Sequence, residues 1–144
     1  MAKELTRAEF RFTPDAQMVL GIVAAAEHFG QRKHLDGTAV LALMRAAQEA
    51  CLSTFKLLSG DSPTLGVVMN EFDDRIEMTI EHQGEALPTA GLDTFLDAET
   101  EDASPGELSG YMLMTLVDRV QYQTVGGTQR MTLVKNTRPA SPSK

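Results

Sequence analysis

Residues 36–58 read DGTAVLALMRAAQEACLSTFKLL, and the apolar positions in this run recur at helical spacing. Asp36 can cap the start; Val40, Leu43, Met44, Ala47, Cys51, Thr54 and Leu58 form one stripe; Ser59-Gly60 closes the run. At about 100° per residue this stripe is the face that packs on a core. The opposite side carries Ala42, Ala46, Glu49 and Ser53. Glu49 and Ser53 are four apart and stand one turn above the other, over a floor of small residues. A carboxylate beside a hydroxyl can be a site or a solvated face with Arg45 and Lys56 as loose partners. Read from this helix alone, the solvated face is the stronger alternative.

Around that helix, 144 residues suffice for one domain with one sizeable core and no disulfide or metal staple. The apolar fraction of 42% and aromatic fraction of 6% fit a soluble globular chain. Thirteen basic residues against twenty acidic ones leave a net charge of −7 with no basic cluster, which argues against nucleic acid as a partner. The charged start, Met1 to Arg7, leads into no signal-type apolar run, and the most apolar segment, Met18–Ala26, is too short to span a bilayer. The expectation is a cytoplasmic protein without a membrane partner. Cys51, the one cysteine, falls on the apolar stripe and is expected to be a small buried hydrophobe. Neither a cysteine pair nor clustered histidines offer a metal site. His28, at the end of a helix, and His34, in the following loop, read as a C-terminal dipole partner or plain surface residues.

Upstream, Ala8, Phe10 and Phe12 alternate with Arg7, Glu9 and Arg11, the pattern of a half-buried strand over residues 4–12. Thr13-Pro14-Asp15 signals a helix start, and Met18, Ile22, Ala25, Ala26 and Phe29 carry the helix to Gly30. Downstream, residues 65–70 and 76–81 read as a hairpin, with Ile76, Met78 and Ile80 pointing one way and Glu77, Thr79 and Glu81 the other. Residues 84–110 read as a long loop, with a short helical piece around Leu92–Leu96. From Asp93 to Glu107 it holds six acidic residues and no basic one. Helical spacing resumes from Tyr111 to Val120, and a last hairpin turns at Gly126-Gly127. Residues 136–144, with Pro139 and Pro142, read as a disordered tail after a single domain over residues 1–135. The order predicts an α+β fold: a two-layer sandwich with a mainly antiparallel, mixed sheet and helices on one face.

This order, with a long loop before the third helix, resembles the anti-sigma factor serine kinases of the histidine-kinase-like ATPase superfamily. Glu49-Ala50-Cys51-Leu52-Ser53 stands where that family has Glu-Ala-x-x-Asn. Glu81-His82-Gln83-Gly84-Glu85-Ala86 stands at its strand ending in Asp-x-Gly. Glu107-Leu108-Ser109-Gly110-Tyr111-Met112 and Thr115-Leu116-Val117-Asp118-Arg119-Val120 stand at its Gly-Leu-Gly-Leu-Tyr-Leu loop and following helix. The resemblance implies an ATP and Mg²⁺ site. In it Glu49 is the catalytic base, Ser53 the metal and cofactor ligand, His82, Gly84 and Ala86 lie at the adenine, and Ser109 and Gly110 at the phosphates. It implies a sigma factor, or the antagonist protein of one, as partner, and a homodimer as assembly.

The departures from the pattern fall on the chemistry. Ser53 replaces an amide ligand to Mg²⁺, His82 replaces the carboxylate that reads adenine, and Glu107 and Ser109 replace glycines whose N–H groups would cradle phosphate. The expected activity is therefore regulatory binding of a sigma factor or its antagonist, with ATP binding weakened or lost. An active ATP-dependent protein serine/threonine kinase acting on the antagonist is the alternative.

Overall fold

Nine residues of alternating pattern open the fold as strand β1 (Glu4–Phe12). Ala8, Phe10 and Phe12 face the core, while Arg7, Glu9 and Arg11 stand in solvent. The computed structural model describes residues 4–56, 58, 63–83 and 110–137. Helix α1 (Ala16–Arg32) begins at Asp15, whose side chain accepts from the Gln17 N–H at 2.9 Å and satisfies one of the orphan donors of the first turn. Helix α2 (Gly37–Phe55) begins in the same way at Asp36, which accepts from the Ala39 N–H at 2.8 Å. Its last helical residue is Phe55, so the helix stops three residues short of Leu58; Ser59-Gly60 lies outside the described residues.

Two hairpins follow. Strands β2 (Leu65–Phe72) and β3 (Arg75–Gln83) turn at Asp73-Asp74, each extending beyond the span read from alternation. The short helix α3 (Gly110–Leu116) leads to β4 (Arg119–Val125) and β5 (Thr128–Asn136). Here the expectation is corrected: the helix ends at Leu116, and Val120 belongs to β4. The Asp118 N–H donates to the Val134 carbonyl at 2.9 Å and its Oδ2 accepts from the Asn136 N–H at 2.6 Å, so the backbone leaves the helix to join β5. Asn136 pairs with Arg75 and is a strand residue, not the start of the tail; residues 138–144 lie outside the described residues.

The sheet order is β1-β2-β3-β5-β4, and all four pairings are antiparallel. The α+β class and layer arrangement are as expected, and among the described residues the sheet has no parallel pair. Its inner face, including Leu65, Val67, Met69, Ile76, Met78, Ile80, Met131 and Leu133, joins Ile22, Phe29, Leu43 and the small residues of α2 in one core. Ala46, Ala47 and Ala50 are fully buried, so α2 packs closely on its neighbours through small residues. Gly30 does the same between helices: a Cβ there would stand 3.2 Å from a methyl of Val40. The outer face is polar. Arg75 donates to Glu77 and Arg130 to Glu81 at 2.6 Å, and Arg7 does so to Glu9 at the same distance.

Candidate functional site

Sheet register locates one end of the molecule. Phe12, Leu65, His82, Gln129 and Thr124 form a row across the five strands. Phe55, the last residue of α2, meets Phe12 edge-on with ring centroids 6.2 Å apart. The C-terminal turns of α2 therefore lie over the end of the sheet that carries His82. Ser53 and, one turn earlier, Glu49 belong to those turns, so this pair and His82, distant from it in sequence, lie at one end of the two layers.

Glu49 is 4% exposed, and Ser53 is half-buried. Both engage a neighbouring group. This corrects the solvated-face reading of the helix: Ala46 on the same side is fully buried, and α3 packs against α2 as well as α1 does. A helix gripped on more than its sheet face buries residues that a single-stripe pattern assigns to water.

His82 continues the inward row of Ile76, Met78 and Ile80 and is 6% exposed. Its Nδ1 is buried and meets no hydrogen-bond partner among the described residues. Burial holds the imidazole below its ordinary protonation range, against a smaller opposing effect from the Gln83 backbone. At neutral pH the ring is uncharged and can accept one hydrogen bond, yet supplies no carboxylate. Gly84, Ala86 and Ser109 lie outside the described residues, and of Gly110 the structure gives the backbone, as the first residue of α3. Among the described residues, no three His, Cys, Asp or Glu side chains converge as a metal-binding group.

Two further features complete the local chemistry. Cys51 is fully buried on the core stripe, and burial pushes its thiol up to about 12, which suits a packing residue. Glu71 was not singled out from the sequence, although the inward alternation of Leu65, Val67 and Met69 continues to it. It is 3% exposed and accepts from Arg32 Nε at 2.9 Å, with Lys33 Nζ 3.9 Å away. Lys33 also donates to the Asp73 carbonyl at 3.2 Å, so this cluster ties the end of α1 to the β2–β3 turn at the opposite end from His82.

No protein-family model and no curated protein matches the sequence. Among solved structures, the chain is similar to the crystal structure of the RsbU and RsbW domains of a Mycobacterium tuberculosis protein, with a TM-score of 0.61 and 12% identity. The likeness covers 97% of this chain and 35% of that one, so the chain spans about a third of the neighbour's length. No described helix is long and apolar enough to cross a membrane. With helices over a five-stranded antiparallel sheet and this neighbour, the chain has the histidine-kinase-like ATPase fold.

Proposed function

We propose that the chain is a regulatory protein of the anti-sigma-factor type, which binds a sigma factor or its antagonist protein and whose ATP binding is weakened or lost. The observation that carries this reading is His82. The position to which the resemblance assigns an adenine-reading carboxylate holds a buried, neutral imidazole. A carboxylate at such a position accepts the adenine amino proton with a full charge; a neutral ring nitrogen makes a weaker bond. Ser53 brings one hydroxyl where Mg²⁺ would call for a carbonyl-type oxygen, a poorer ligand for a hard cation. These residues do not fit Mg²⁺ and ATP, and no catalytic step is assigned to them. The histidine-kinase-like fold and the RsbW neighbour support the choice of partner class.

The active-kinase reading draws on one observation, the burial of Glu49. A buried carboxylate at that end supports a general-base role for Glu49. Calorimetric titration of the chain with ATP and Mg²⁺ separates the two. Silence up to millimolar nucleotide, with a stable complex formed on mixing with a sigma factor or antagonist, is the expected result. Micromolar nucleotide binding, with phosphate transfer to the antagonist that Glu49→Gln abolishes, would replace this reading with the kinase. Failure to bind either protein would sink the regulatory reading.

A further inference from the structure

Strand β4 ends the sheet on the side of the last hairpin. It pairs with β5, and among the described residues nothing pairs along its other side. Edge strands are ordinarily protected by charged side chains or proline. The far edge, β1, follows that rule with Arg7, Glu9 and Arg11 at successive outer-face positions. β4 does not: it holds no proline, and its outer face runs Arg119, Gln121, Gln123 and Val125, with one charge.

The hairpin fixes which backbone groups of β4 are left over. The turn at Gly126-Gly127 closes on Val125 and Thr128, and a two-residue turn of this kind makes the closing pair a hydrogen-bonded one. Alternation back along the strand then turns the N–H and C=O of Gln123, Gln121 and Arg119 toward β5. Those of Thr124, Tyr122 and Val120 point to the open side. An extended segment laid antiparallel there forms hydrogen-bonded pairs with these three residues, the mode in which a peptide adds a strand to a sheet.

Side chains state what such a segment must carry. Val120 and Tyr122 face inward opposite Leu133 and Met131, and with Leu116 of α3 they pack on the core while staying only partly buried. Apolar residues opposite Val120 and Tyr122 would extend that rim. On the outer face Arg119 is exposed, and among the described residues no carboxylate forms an ion pair with it. Asp118 beside it is turned to the Asn136 N–H. Arg119 falls in a non-hydrogen-bonded pair with the added strand, where opposed side chains approach closest, so an acid there meets it directly. A second β4 does not supply that acid, because the strand contains none.

We propose that the open side of β4 is a docking edge for an extended peptide of a partner protein, antiparallel to Val120–Thr124, with alternate apolar residues inward and an acid opposite Arg119. This edge is independent of whether the chain binds a sigma factor or nucleotide, and it is tested without either. The probe is the labelled, end-blocked peptide TTVTVE, whose first valine falls opposite Tyr122, second opposite Val120, and glutamate opposite Arg119. Fluorescence anisotropy with the full chain is expected to show saturable binding in the micromolar range. N-methylating the first valine removes the donor to the Tyr122 carbonyl and should weaken binding about tenfold or more, whereas N-methylating the threonine that follows, whose N–H points away, should leave it unchanged. In the chain, Thr124→Pro removes an N–H that β5 does not use, and should weaken binding similarly. Thr124→Val is its control, since both lose the hydroxyl that bonds Gln129. Arg119→Glu should weaken binding about tenfold, and a probe with lysine in place of its glutamate should recover it on that variant. Circular dichroism verifies folding, and the methylated probes need no variant at all. Absence of binding to the parent chain, two methylated probes that bind alike, or no recovery by the lysine probe would each overturn the proposal. An apparent affinity that falls as the chain concentration rises would give the edge to a second copy and overturn it as well.

Discussion

The thiol of Cys51 is fully buried, and its protonation range is lifted to about 12, so at mild alkaline pH it carries almost no thiolate. It should resist a disulfide reagent in the native chain and react once urea unfolds it, and the rate of colour release measures this directly. His82 carries a pH dependence of known sign. Its folded protonation range is depressed, so the unfolded chain binds the proton more readily. The stability it contributes is full above its unfolded value of about 6.5 and is lost as pH falls below that value. Urea midpoints at neutral and mildly acidic pH should differ more for the parent chain than for His82→Gln. Of these residues, Cys51 was legible because its position on the stripe decides its burial. Glu49 was not, because the 3.6-residue period registers one packed face, and the burial of a second depends on elements far along the chain.

At the scale of elements, both long helices were legible from their caps: Asp15 and Asp36 do what a short carboxylate before an apolar run does, and accept from first-turn N–H groups. The end of α3 was not legible, since Leu116, Val117 and Val120 satisfy helical spacing while β5 supplies the partner that draws the backbone into a strand. The β4–β5 turn has φ of +57° at Gly126 and +86° at Gly127, the left-handed pair that a two-residue hairpin of this twist requires. Gly127→Ala should cost about 1 kcal/mol, read as a shift of the urea midpoint without a change of slope. Glu71 joins β2 to the end of α1, and Glu71→Ala leaves Lys33 poorly paired in a half-buried position. Because Arg32 is partly in solvent, the loss is below that of a fully buried pair, about 1–3 kcal/mol in chemical denaturation.

For the whole molecule, the α+β class follows from which segments alternate with period two and which repeat every three to four residues. The strand order does not. Hairpin spacing joins β2 to β3 and β4 to β5, and says nothing of which member of the second hairpin meets β3. The structure places β5 there, pairing Ile80 with Met131 and Met78 with Leu133 in the core, and leaves β4 at the edge. The likeness to the RsbU and RsbW structure at 12% identity follows the same logic, since a layer architecture depends on where apolar residues recur more than on which ones they are.

Because β3 leaves the sheet at Gln83 and its neighbour β5 enters at Thr128, the chain travels through residues 84–127 to return to an adjacent strand. Covalent continuity across that excursion holds together two pieces that already recognise each other. Residues 4–83 carry three strands and both long helices; residues 110–137 carry α3 and the last hairpin, with Leu113, Val117 and Leu133 directed into the shared core. The molecule is thus divisible: severed within 84–109, the two pieces should reassemble by fragment complementation along the Arg75–Gln83 and Thr128–Asn136 edges, recovering the far-UV spectrum on mixing. A chain divided in this way would be two halves whose reunion reports on proximity.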